Sequence, residues 1–187
     1  MRNILIATAA IAAISGTALA EGARVEIHGG YDSVDRRGTK AFDGINYGIG
    51  IGYDYNVNEN AFIGIEANVD DSNADRTLPV PNGSTTTKIN RDLSANLRVG
   101  TAVGDKKTKI YGLVGYTNLR FKTVDFTTIG TGTTTITNGS NADGYRVGAG
   151  VERNFGSRAY GKIEYRYSNY ERGFTRNQGL VGVGVRF

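Results

Sequence analysis

The chain has 187 residues, with 22 lysines and arginines against 18 acids, a formal charge of +4, and no cysteine. The missing thiol excludes disulfides, thiolate metal sites and cysteine nucleophiles. Its basic residues are scattered singly and give no concentrated footprint for nucleic acid, so none is expected as a partner.

The first twenty residues read as a cleaved secretory signal. Arg2 is the positive start, Ile4 to Ile14 the apolar run, and Ala18-Leu19-Ala20 a small-x-small cleavage site. The run is too short to cross a bilayer as a helix, which takes roughly 20 residues. One domain, residues 21–187, is expected to follow, with Glu21 as its first residue.

From there on, glycine is abundant, proline is rare and apolar residues recur at every second position. The first such segment sets Val25, Ile27, Gly29 and Tyr31 against Arg24, Glu26, His28 and Asp32. The second sets Ile45, Tyr47, Ile49, Ile51, Tyr53 and Tyr55 against Asn46, Gly48, Gly50, Gly52 and Asp54. In the third, Ile63, Ile65, Ala67 and Val69 oppose Gly64, Glu66, Asn68 and Asp70. In the fourth, Leu93, Ala95, Leu97, Val99 and Val103 oppose Asp92, Ser94, Asn96, Arg98 and Gly100.

The fifth is read with Tyr111, Leu113, Leu119 and Phe121 on its apolar face and Tyr116, Asn118, Arg120 and Lys122 on the other. The sixth sets Tyr145, Val147, Ala149, Val151 and Phe155 against Arg146, Gly148, Gly150, Glu152 and Asn154. The seventh sets Ile163, Tyr165 and Tyr167 against Lys162, Glu164, Arg166 and Ser168. The eighth ends the chain, with Val181, Val183, Val185 and Phe187 alternating with Leu180, Gly182, Gly184 and Arg186.

Connections between these segments alternate in length. Short Asn-, Gly- and Asp-rich turns lie near Asn56–Asn60, Gly104–Lys107 and Phe155–Arg158. Longer polar loops lie near Val34–Asp43, Asp71–Lys88, Thr123–Asp143 and Asn169–Arg176. Eight strands joined in this way predict an all-β, eight-stranded antiparallel up-and-down transmembrane barrel. Such barrels of the bacterial outer membrane turn short connections to the periplasm, which would put both termini there. Followed along that path, Tyr31, Tyr47, Phe121, Tyr145 and Tyr167 fall near the loop end. Tyr53, Tyr55, Tyr111, Phe155 and Phe187 fall near the turn end. Two aromatic belts are the pattern that two membrane interfaces demand.

The segment Gly144-Tyr145-Arg146-Val147-Gly148-Ala149-Gly150-Val151-Glu152 comes before Ile163-Glu164-Tyr165-Arg166-Tyr167-Ser168 and a terminal Val-Arg-Phe. These residues resemble the small outer-membrane β-barrel proteins, a group that includes the OmpA transmembrane domain, OmpX and the opacity-type surface proteins. The resemblance covers the expected mature chain. It implies that Phe187, a terminal aromatic, serves as the signal read by the barrel-assembly machinery. Nothing after Phe187 matches the peptidoglycan-binding domain of full-length OmpA, so wall anchoring is not expected.

The polar faces carry the expected lumen charge network. Its acids are Glu26, Asp32, Asp54, Glu66, Asp70, Asp92, Glu152 and Glu164, and its bases Arg24, Arg98, Arg120, Lys122, Arg146, Lys162, Arg166 and Arg186. Near-equal numbers of opposite sign fit pairing across a narrow interior better than a selective pore, which favours one sign. Glycines on the same face, such as Gly48, Gly50 and Gly148, leave room for long arginines.

His28, the single histidine, falls on the inward face with no Ser-x-His spacing, so it reads as a lumen residue and not as a catalytic base. Asp70, Asp71 and Asp75 lack the glycine and terminal glutamate of a calcium loop. No catalytic residue, metal or cofactor is expected. The function expected is non-enzymatic: envelope integrity, with a surface ligand at the loops. A narrow porin-like channel is the first alternative and a lipid A modifying enzyme the second. Lipid and lipopolysaccharide are expected partners, with Arg36, Arg37 and Lys40 of the first loop facing lipopolysaccharide phosphates. The third loop, Thr123–Asp143, alternates threonine with Val124, Phe126, Ile129 and Ile136 and is expected to extend the wall as a hairpin.

Overall fold

The computed structural model describes residues 22–36, 39–81, 83–129 and 132–187. The expected signal, 1–20, lies outside them with Glu21, and so do the side chains of Arg36, Arg37 and Lys40. Nine strands follow in chain order: β1 (Ala23–Arg36), β2 (Thr39–Asn56), β3 (Ala61–Ser72), β4 (Asp75–Val80), β5 (Gly83–Val103), β6 (Thr108–Ile129), β7 (Gly132–Phe155), β8 (Ala159–Tyr170) and β9 (Phe174–Arg186). All pair antiparallel. β1 closes on β9 and β3 pairs with β5, so eight strands make a closed ring. Closure removes every edge within the ring, which membrane-spanning strands require because lipid offers their backbone no partner.

The ninth strand is β4. It lies outside the ring and pairs with β5 from Asp75↔Lys88 to Val80↔Gly83. The stretch expected as the second loop is therefore largely a hairpin appended to the wall. The third loop is a hairpin as well: β6 and β7 pair out to Ile129↔Gly132, whereas β8 joins β7 only from Gly144↔Tyr170. Residues 132–143 span ~40 Å of strand beyond that point.

At the opposite end the connections are tight. Gly104 (φ 61°) and Gly156 (φ 81°) hold the left-handed conformations that two of these turns require. The described ends of the chain meet on this side, where Gly22 N–H donates to the Phe187 carbonyl at 2.9 Å and Phe187 N–H to that of Ala23 at 2.8 Å.

Polarity is inverted relative to a water-soluble protein. Ile51, Ile65, Leu97, Val99 and Val181 are exposed on the outer wall, and Ile163 is 69% exposed. Arg24, Arg98, Arg146, Arg166 and Arg176 are the largest fully buried side chains. Glycine makes that interior possible. A Cβ on Gly52 would sit 2.7 Å from an Arg24 guanidinium nitrogen, and one on Gly50 3.0 Å from Glu26.

Candidate functional site

The lumen is filled in three tiers. Nearest the turns, Arg24 donates to Glu26 at 2.8 Å and to Glu66 at 2.5 Å, with its Nε 3.4 Å from Asp54. Arg98 reaches Glu152 at 3.2 Å and Glu66 at 3.5 Å, and its guanidinium lies 3.9 Å from the centre of the Tyr111 ring. Arg186 donates to Glu152 at 2.5 Å and to Asp54 at 3.1 Å. Tyr160 donates to Glu26 at 2.8 Å and Tyr111 to Glu164 at 2.6 Å, while Lys162 bridges Glu26 and Glu164.

The middle tier is carried by Arg166 and His28. Arg166 pairs with Glu164, reaches Glu66 at 3.4 Å and Asp70 at 3.5 Å. His28 Nε2 lies 2.6 Å from Asp70, and its Nδ1 lies 3.4 Å from Glu26. Both ring nitrogens thus face carboxylates.

Asp92 organises the tier nearest the loops. It accepts from Arg146 at 2.5 Å, Arg176 at 2.6 Å and Tyr170 at 3.1 Å, and also from Thr117. Arg176 grips Asp32 with two bonds of 2.7 and 2.8 Å, and Arg146 donates to Ser94 and Ser168. Bidentate, charge-assisted bonds of this kind fix geometry as well as charge. Above Asp92 the filling changes character. Val34, Phe42, Ala74, Ile89, Leu119, Phe121, Ala142 and Tyr170 form a buried apolar cluster against which Phe174 packs.

Most residues singled out from the sequence lie where the alternation puts them. Glu26, Asp54, Glu66, Arg98, Arg146, Glu152, Glu164 and Arg166 are buried in the lumen, and Arg186 is partly so. Tyr31, Tyr47, Tyr53, Tyr55, Tyr145 and Phe155 are exposed on the outer wall, and Tyr167 and Phe187 half-buried there.

β6 is the exception. Tyr111 and Phe121, expected in the belts, face the lumen, whereas Arg120 and Lys122, expected inside, face outward. The cause is register. Tyr111 opposes Gly100 and Leu113 opposes Arg98, both on the inward face of β5, and Phe121 opposes the buried Ile89. The outward aromatic of this strand is Tyr116, 54% exposed. Sequence reasoning also left Arg176 in a loop. Its signal was present, because Arg176, Gln178 and Leu180 continue the two-residue rhythm of β9 upward and are all buried.

A closed ring with charge inside and hydrocarbon outside is the shape of a membrane barrel. The model of a family described as the outer membrane protein beta-barrel domain matches residues 6–187. The chain belongs to that family. The family places it in the bacterial outer membrane. Among solved structures, Ail, the attachment invasion locus protein of Yersinia pestis, is similar at 17% identity, with 90% of this chain and 100% of Ail covered and a TM-score of 0.63. A second Ail structure, in complex with the heparin analogue sucrose octasulfate, has a TM-score of 0.58 at the same identity and coverage. Neisserial surface protein A follows at 13% identity, with 89% and 97% covered and a TM-score of 0.57. These likenesses concern the fold. No curated protein matches the chain.

Proposed function

We propose that the protein is a non-enzymatic outer-membrane barrel, its wall contributing to envelope integrity and its protruding hairpins presenting a surface for ligands. The observation that carries this reading is the filled lumen. Paired charges occupy the interior along the bilayer band, and the apolar cluster above Asp92 covers them at the loop end. An eight-stranded interior is just wide enough to be filled by side chains. A selective channel needs the opposite arrangement, a ring of one sign around a water column.

Several further assignments belong to this reading. Residues 1–20 are a signal removed on export, and residues 21–187 the mature barrel. Both termini face the periplasm, and Phe187 is the feature engaged by the barrel-assembly machinery. A surface ligand at the extended hairpins is supported by analogy of fold alone, since the Ail structure holds a sulfated sugar. Against lipid A chemistry stands the setting of His28, sealed between Asp70 and Glu26.

Single-channel recording on protein refolded into planar bilayers tests the filled lumen. No reproducible conductance steps are expected. Stable steps well above bilayer background would replace this reading with the narrow channel.

A further inference from the structure

Part of the wall is paired on one side only, although a second strand stands beside it. β2 and β3 pair up to Asn46↔Ser72, and β4 continues the course of β3 after Asn73 and Ala74. β2 runs on upward to Thr39, bound to β1 alone. β4 is bound to β5 alone. Between upper β2 and β4 lies a slot bordered by two strand edges.

The ladder does not end for want of proximity. Asn73 N–H donates to the Ile45 carbonyl at 3.1 Å, and a Cβ on Gly44 would lie 2.5 Å from the Ala74 nitrogen. Ile45 N–H, however, donates to the Asn73 side chain at 2.6 Å, so the strands begin to part here. Carried one step further, the register sets Asp43 opposite Asp75. Hydrogen-bonded and non-bonded pairs alternate in an antiparallel ladder, which makes Asp43 and Asp75 the next pair due to bond.

The edge of β4 is free on that side. Ile89 N–H donates to the Ala74 carbonyl at 3.2 Å, so by alternation Arg76 bonds towards β5 while Asp75 and Thr77 turn their N–H groups to the slot. The Thr77 and Thr86 hydroxyls meet at 2.9 Å, as side chains do in a non-bonded pair.

Charge is what distinguishes the step at which pairing stops. Asp43 and Asp75 are both exposed on the outer face, where opposed side chains would lie ~5 Å apart at Cβ and like charges destabilise the pair. That separation is within the Debye length of ~8 Å at physiological ionic strength, so salt leaves the repulsion in place. On β1, Ser33 opposes Asp43, Tyr31 is hydrogen-bonded to it, and Asp35 adds a third acid. Asp71 of β3 adds a fourth on the same face. From β5, Lys88 opposes Asp75, with Lys122 beyond it on β6. Neither Asp43 nor Asp75 is ion-paired to a described residue.

We propose that repulsion between Asp43 and Asp75 holds this slot open, and that removing it lets β2 and β4 zip as far as Ala41↔Thr77. The next bonded pair would be Thr39↔Pro79, and Pro79 has no N–H to give, which ends the zipper. The extracellular wall thus carries a conformational device set by surface charge: neutralising either acid closes two edges that their like charge keeps free. It is independent of whether the lumen conducts or the hairpins bind a ligand.

Amide hydrogen exchange, read by NMR on the refolded protein in detergent micelles, tests the slot at Thr77, whose intrinsic exchange no substitution at position 43 alters. In the wild type this amide should exchange as an unpaired edge group. Asp43→Lys, which sets opposite charges across the slot, should slow it about five-fold, the protection that one net backbone hydrogen bond confers. Asp43→Asn should slow it less, and Asp43→Glu, which keeps the charge, not at all. Tyr31→Phe, which removes only the hydrogen bond to Asp43, should also leave Thr77 unprotected. No gain in Asp43→Lys, equal gains in the Asn and Glu variants, or a Thr77 amide already protected in the wild type overturns the proposal. Should Asp43→Lys not reach the heat-modifiable folded form, Asp75→Asn carries the expectation of the Asn variant. Unchanged exchange at Leu97, in the middle of the wall, separates closure of the slot from a change in the barrel.

Discussion

Within the bilayer band the wall is apolar outside and charged inside; above it, the same strands are polar outside and apolar inside. β6 shows both conditions in one element. At Val114 and Tyr116 its outer face is apolar or aromatic, with Tyr111 and Leu113 within. Further along, Arg120 and Lys122 are outside while Leu119 and Phe121 pack in the apolar cluster with Val34, Phe42, Ile89 and Ala142. The solvent on the far side of the wall explains the reversal. Where lipid surrounds the barrel, hydrocarbon costs nothing outside and polar groups must pair inside. Where water surrounds it, the hydrophobic effect again favours an apolar interior.

The two fillings should therefore fail in different ways, and the charged one should fail harder. Asp92 is the joint between them, accepting from two arginines, a tyrosine and a threonine. Asp92→Ala strips Arg146 of its short ion pair, leaving it only Asp70 at 4.0 Å, and leaves Arg176 with Asp32 alone, at an expected cost of ~3–5 kcal/mol. Equilibrium unfolding in urea, followed by heat-modifiable migration, measures it. A loss below about 1 kcal/mol would mean that water reaches this tier and that the upper lumen is open.

Above the joint the same measurement should give a somewhat smaller response. Leu119 is fully buried in the apolar cluster, and Leu119→Ala is expected to cost ~2–4 kcal/mol as lost burial plus a residual cavity. Conductance should remain absent, because the paired charges beneath still fill the ring. Steps that appear only in this variant would locate the seal in the apolar cluster and leave the charged tiers permeable.

The barrel itself was legible because lipid and lumen impose opposite demands on alternate residues, and seven segments meet both without ambiguity. Ile49, Ile51 and Tyr53 against Gly48, Gly50 and Gly52 allow only one orientation. β6 does not, since it carries apolar residues on both faces. Its odd positions Tyr111, Leu113, Leu119 and Phe121 outnumbered Ile110, Val114 and Tyr116, and a count favours the wrong face. Only the partners across the sheet decide: Arg98 opposite Leu113 and Ile89 opposite Phe121. The ninth strand was hidden for a related reason. Asp75–Val80 contains Pro79 and charged residues that read as loop, yet an outermost strand with one unpaired edge tolerates both. Arg176 was obscured by the boundary drawn at the membrane surface, where alternation continues although the bilayer has ended.

The smallest expected effect concerns a polar group that joins neither filling. Gln178 is fully buried beside Asp32 and Arg166 in the register, yet neither atom of its amide has a hydrogen-bond partner among the described residues. A buried amide without hydrogen bonds costs roughly 1–3 kcal/mol, whereas an apolar side chain of similar size carries no such penalty. Gln178→Leu is therefore expected to leave the urea midpoint unchanged or to raise it slightly. The contrast with Asp92→Ala, one tier away, isolates pairing from burial: both positions are sealed, and only one is bonded. A loss of more than about 1 kcal/mol at Gln178 would show the amide to be bonded through water, since bridging water bonds are nearly as good as direct ones. The lumen would then hold an ordered water chain between its charged tiers, and its filling would be wet where side chains leave amides unmatched.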